Sequence, residues 1–188
     1  MALQFKRVDR AFSPADAERI TGVSVALQRD WRRRGILAKT APGKWTQFKL
    51  HDIIEMATKK IFADAGYSVH QVADIAAMSI LPTLRSIEAI SGAVGYRGHA
   101  LSNEQRDRSE LAGSVHSDAG RYLAMTRDHV GEVRVVRIDD LAKIDRLLEK
   151  AKSAQCTVLD CCILAATIAE RAGLPVWEWE VTETKRSK

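Results

Sequence analysis

The chain is poor in cysteine, proline and aromatic residues, with three Cys, four Pro and 6% aromatics. Three cysteines, two of them adjacent at Cys161 and Cys162, cannot form a fully paired disulfide framework, so a reducing, cytoplasmic setting is expected. No run of about 18 apolar residues occurs, which excludes a conventional membrane-spanning helix. The first twenty residues are charged where a signal peptide needs an apolar stretch, so Sec export is not expected. Histidines 51, 70, 99, 116 and 129 lack zinc-like spacing, no glycine-rich phosphate loop follows a strand, and no nucleophile elbow is present. Asp139 and Asp140 read as helix-start residues rather than an acid/base pair. No enzyme activity, no cofactor and no metal site are therefore expected. There is no internal repeat.

What is present is an ordinary apolar share, 46% of 188 residues, enough for one or two small packed domains. The net charge of +5 is unevenly divided. Residues 1–68 hold 13 Lys or Arg against 7 Asp or Glu, whereas 69–188 hold 16 against 17. A basic bias confined to one segment is the footprint of a polyanionic partner, or else a slightly basic solvated face.

Ser13, Pro14 and Asp16 supply a hydroxyl cap, a first-turn proline and a first-turn acid, predicting a helix over 14–21. Gly22 and Val23 break it, Ser24 caps a second helix over 25–34, and Gly35 ends that one. Two short helices joined by a tight turn form a helix-turn-helix candidate. Short strands over 37–40 and 45–50, around Ala41, Pro42, Gly43 and Lys44, predict a β-hairpin or wing. A helix follows over 51–65, with Ile53, Ile54, Ala57, Ile61 and Ala65 as its apolar stripe, and Gly66 ends it. Ser68 and Gln71 form a capping box for a further helix carrying Val69, Val72, Ile75 and Ala76. Pro82 is expected to start a separate short helical piece reaching about Ser91.

Glycine and serine crowd residues 92–120, which read as a flexible linker or long loop between a unit at 1–91 and a small α+β unit at 121–188. The second unit is expected to hold strands over 122–126, 132–138 and 176–181 and helices over 140–152 and 157–172. Leu141, Ile144, Leu148 and Ala151 give the first of these helices a two-turn apolar seam suited to core packing. If 157–172 is helical, Cys161 and Cys162 diverge by about 100° around the axis, a poor chelate. Trp177 and Trp179 alternate with Glu178 and Glu180, placing both indoles on one strand face, for core or oligomer contact. The fold class expected is mostly α with small β: an N-terminal winged helix-turn-helix plus a C-terminal α+β unit for oligomerisation or sensing.

Residues 21–37, TGVSVALQRDWRRRGIL, resemble the DNA-binding domain of the MerR family of transcriptional regulators. Thr21, Gly22, Val23, Ser24, Arg29, Trp31, Gly35, Ile36 and Leu37 match the family's turn, recognition helix and Gly-Leu-Leu tail in type. Trp45, Thr46, Phe48, Asp52 and Ile53 follow its wing pattern, and Gly66, Tyr67, Ser68 and Val69 its fourth-helix start. The similarity covers residues 12–78. It departs where Asp30 replaces a tyrosine, Gln28 stands at the family's leucine, and Thr46 takes the wing arginine's place.

The resemblance implies a winged helix-turn-helix that docks on double-stranded DNA. The residues themselves support an arginine face, since Arg29, Arg32 and Arg33 fall at helical spacing while Asp30 and Arg34 can pair on another face. Early positions of such a helix point at bases, making Ser24, Ala26, Gln28 and Arg29 readout candidates. Arg32, Arg33, Lys39, Lys44 and Lys49 are assigned to phosphates, and Thr46 to the wing contact. Trp31 is assigned to the core. The expected function is a sequence-specific transcriptional regulator, a homodimer or higher homo-oligomer, with no membrane association and any small-molecule effector unspecified. Two alternatives stay open: a phage-type packaging module similar to a small terminase, and an excisionase-type architectural protein.

Overall fold

Ser13 nucleates the first helix as its sequence requires. In the computed structural model, which describes residues 2–39, 43, 45–98, 120–128, 130–153 and 155–184, α1 spans Pro14–Thr21. The Ser13 hydroxyl accepts from the Asp16 backbone N–H at 3.1 Å, and the Asp16 carboxylate accepts from the Ser13 backbone at 3.0 Å and its hydroxyl at 2.7 Å. The Ser13 hydroxyl, the Arg19 guanidinium and the Ser13 backbone together draw the Asp16 pKa from 3.8 to about 2. The folded value lies below the unfolded one, so the carboxylate's contribution is complete above pH 3.8 and fades as pH falls towards 2. Ser13→Ala is expected to cost about 1 kcal/mol in urea unfolding. Asp16→Asn should flatten the acid limb of the stability curve across that window.

Helix α2 spans Val25–Arg33, α3 Leu50–Asp64 and α4 Ala73–Glu88. Ser24 caps α2 by accepting from Leu27 N–H at 3.2 Å. The Ser68–Gln71 capping box also forms, although residues 69–72 make a turn and the helix begins after it. On α3, Ile53, Ile54 and Ala57 are buried as expected, whereas Phe62 is buried in place of Ile61, and Ile61 and Ala65 are exposed. Pro82 does not begin a new piece: it lies inside α4, buried where the helix packs against α3 and the C-terminal helix. A mid-helix proline costs one backbone hydrogen bond, roughly 3 kcal/mol, and burial of Ile75, Ala76, Thr83 and Ile87 along the same helix opposes that cost.

Strands β1 (Ala2–Asp9), β2 (Val94–Gly98) and β6 (Trp177–Thr184) make one three-stranded sheet in the order β1-β6-β2. β1 runs antiparallel to β6, with Ala2 opposite Thr184 and Asp9 opposite Trp177; β2 runs parallel to it. Neither β1 nor β2 was expected. β2 occupies part of the glycine-rich stretch read as a linker, and its glycines serve close packing rather than freedom. A Cβ on Gly98, at φ +98°, would lie 2.5 Å from the Val181 carbonyl oxygen.

The second sheet is antiparallel, in the order β4-β3-β5, with β3 at Tyr122–Arg127, β4 at Val133–Ile138 and β5 at Cys156–Asp160. A 3₁₀ turn at Leu141–Lys143 leads into α5 at Ile144–Ala151, and α6 spans Cys161–Ala172. The first four residues of the expected helix over 157–172 are thus strand, and the remaining twelve are helix as expected. Asp160 ends β5 and caps α6, accepting from Cys162 N–H at 2.9 Å and Ile163 N–H at 3.2 Å.

The architecture is mixed α and β, with six α-helices and six strands among the described residues. The segments at 1–91 and 121–188 share one buried core that runs from Phe12 through Ile53 and Ile75 to Ile168 and Trp177. Arg19 of α1 donates to the Arg171 carbonyl, and Arg171 donates to the Ile20 carbonyl at 3.1 Å. Tyr67 and Thr157 join by a hydroxyl pair at 3.1 Å. Residues 99–119, the remainder of the expected linker, lie outside the described residues.

Candidate nucleic-acid interface

Helix α2 has one locked face and one open face. Trp31 and Gln28 are buried, Leu27 is partly so, and the helix packs against α1 across Gly22–Ser24. Gly22 adopts φ +74°, the left-handed conformation that stops α1 and turns the chain. Gln28 is 0% exposed, and its side-chain amide donates to the Pro14 and Val23 carbonyls, each at 2.9 Å. It therefore clamps the inter-helix turn and does not reach a base, which corrects its assignment to readout. The leucine that the resembled family carries at this position was the signal, because an apolar residue there belongs to the core side.

The open face carries Ala26, Arg29 and Arg33, at spacings of three and four. Ser24 is half-buried and occupied by its cap. Arg29 is exposed and makes no ion pair with a described residue. Arg33 pairs with Asp30 at 2.6 Å and Arg34 with the same carboxylate at 3.4 Å. Arg33 above all, and Arg34 after it, holds Asp30 below the usual carboxylate range.

Arg32 points elsewhere. Its guanidinium lies 5.6 Å above the Phe48 ring and donates to the Thr46 hydroxyl at 3.2 Å, while its Nε is buried without a partner. Burial, and behind it the like charge of Arg29, draws it below the usual arginine range. It ties α2 to the segment before α3, so it positions that segment more directly than it presents charge. The expected sharing of one face by Arg29, Arg32 and Arg33 holds only for Arg29 and Arg33.

No protein-family model matches the chain, and no curated protein matches it. The reading of the site therefore rests on its own geometry.

The expected wing strands over 37–40 and 45–50 do not pair among the described residues; Thr40–Pro42 and Lys44 lie outside them. Phe48 instead forms a β-bridge with Phe12, with reciprocal backbone hydrogen bonds of 2.8 Å, and Leu50 opens α3. Both phenylalanines are buried at that bridge. The segment after α2 is also pinned by Lys59, which is buried, donates to the Ile36 carbonyl at 3.0 Å and pairs with Glu55 at 2.5 Å.

Lys39 and Lys49 are exposed beside this segment and make no ion pair with a described residue. A cavity of about 310 Å³ lies between the segment and α3, lined by Lys39, Trp45, Thr46, Asp52 and Glu55 among others. Trp45 is 93% exposed. An indole this open beside a lysine is suited to stacking or groove-edge contact, a role not assigned to it from sequence. The available signal was a tryptophan in a turn-rich stretch with no apolar periodicity around it.

The cysteines do not converge. Cys156 lies on β5, Cys161 is buried at the start of α6 and Cys162 is exposed. Among the described residues no group of three or more His, Cys, Asp or Glu side chains is placed to hold a metal ion. Among the same residues no helix is long and apolar enough to cross a membrane. Burial pushes the Cys161 thiol up to about 11. At pH 8 iodoacetamide is expected to label Cys162 and spare Cys161, as read by peptide mass spectrometry. Equal labelling of the two would contradict the burial of Cys161.

Proposed function

We propose that the chain is a sequence-specific DNA-binding transcriptional regulator in which α2 enters the major groove of double-stranded DNA, two copies reading two half-sites. One observation carries this reading. A two-turn helix is fixed on one side by Gln28 and Trp31 and left open on the other, where Ala26, Arg29 and Arg33 form a row. A helix of that width fits the groove, and arginines along its outer side can meet phosphates or guanine edges. Lys39, Lys49 and Trp45 extend the same function along the segment that Arg32 and Lys59 hold in place. Dimerisation follows from specificity, because one short helix reads few base pairs.

The test is selection of bound sequences from a random duplex pool at two salt concentrations, followed by footprinting of the selected sequence. The expected result is a defined motif, two-fold symmetric, with affinity falling steeply as salt rises. Absence of enrichment would remove the regulator reading and leave α2 as an assembly or packaging surface.

A further inference from the structure

Between β4 and α5 lies a second cavity, of about 410 Å³, remote in sequence from α2. Five cations border it: Arg134 and Arg137 from β4, Lys143 at the start of α5, and Arg146 and Lys150 along that helix. Among the described residues no carboxylate lines it. Lys143 is held by Asp139 at 2.5 Å, outside the cavity, whereas the other four make no ion pair with a described residue.

This arrangement differs from a solvated basic face in two respects. Arg146 and Lys150 stand four apart on one helix, a like-charge pair that destabilises the helix when nothing answers it. The floor between the cations is apolar, formed by Val136, Ile138 and Leu147. Cations around an apolar floor complement a ligand that is anionic at one end and apolar at the other. The volume falls within the range of about 300–1,000 Å³ typical of small-molecule sites. A nucleic-acid backbone would meet the charges and leave the floor unfilled.

We propose that this cavity binds a small phosphorylated molecule with an apolar body, the class to which nucleoside triphosphates belong. The inference stands apart from the DNA-binding reading, because none of these residues lies on α2 or on the segment that follows it.

The full chain is titrated with adenosine triphosphate, pyrophosphate and adenosine by isothermal calorimetry at physiological salt. Saturable binding of the triphosphate, tighter than that of either fragment, is expected. Arg146→Ala with Lys150→Ala should weaken it by about a hundredfold, two charged contacts at roughly tenfold each. The exchange Arg146→Lys with Lys150→Arg should restore most of the affinity. Arg29→Ala with Arg33→Ala removes the same charge elsewhere and should leave it unchanged. Circular dichroism establishes that each variant is folded. Failure of the triphosphate to bind, or unchanged affinity in the Arg146/Lys150 variant, overturns the proposal. Pyrophosphate binding as tightly as the triphosphate overturns the role of the apolar floor. Loss of duplex affinity in the Arg146/Lys150 variant, with no loss of triphosphate affinity, would make the cavity a nucleic-acid track instead.

Discussion

On the proposed reading, Arg29→Ala combined with Arg33→Ala will weaken duplex binding by at least about tenfold and make the slope of log affinity against log salt shallower, by about 1 for each of the two that meets a phosphate. The urea midpoint will not move, because both side chains project from the open face of α2 and neither closes a buried hydrogen bond. Fluorescence anisotropy of a labelled duplex at several salt concentrations measures the first effect, and circular dichroism in urea the second. Unchanged affinity and slope would remove α2 from the interface. Asp30→Ala supplies the opposite sign: it deletes an anion and releases Arg33 and Arg34, so affinity should rise.

Arg32 does not belong in that variant. Its substitution removes the hydrogen bond to Thr46 and the contact over Phe48, so lost affinity would reflect a displaced segment as much as a lost charge. Only a residue without structural duties reports on the interface cleanly. By the same criterion Gln28 is a poor readout test, since its amide satisfies two carbonyls at the turn.

The parts legible in the sequence are those whose causes are local. Ser13, Asp16 and Ser24 fix the starts of α1 and α2 through hydrogen bonds spanning three residues, and Gly22 fixes the turn by its own backbone freedom. Asp160 before α6 is a cap of the same kind and could have placed the β5–α6 boundary, had the β-branched Thr157 and Val158 been weighed against helix. The illegible parts depend on distant partners. β1 is a strand because β6, some 170 residues later, presents a matching edge, and β2 because its glycines allow close approach to the same strand. Phe48 bridges to Phe12, another non-local choice. At the candidate interface, helical spacing put Arg29, Arg32 and Arg33 on one face, which holds for Arg29 and Arg33, while the fates of Gln28 and Arg32 depended on α1 and on the Thr46–Phe48 segment.

Trp177→Ala is the substitution with the largest expected loss of stability, about 3–5 kcal/mol against a total of roughly 5–15 for a domain. Trp177 is 1% exposed on the central strand, with Asp9 opposite it on β1, Val94 on β2 and the Arg7 guanidinium 4.4 Å from its ring. Removing the indole opens a cavity where β6 meets β1 and β2. Trp177→Phe should lose less than half as much, since it keeps a ring beneath Arg7 and deletes an indole N–H that is buried without a partner. The variant also decides whether the segments at 1–91 and 121–188 unfold as one. With Trp45 and Trp179 replaced by phenylalanine, Trp31 reports on the N-terminal helices while far-ultraviolet circular dichroism reports on all of them. A core running from Phe12 to Trp177 requires both signals to shift together to lower urea, in one transition. A Trp31 transition that stays in place while the dichroism signal splits would mean that the first 91 residues fold without the rest, and that the shared core contributes little to holding them.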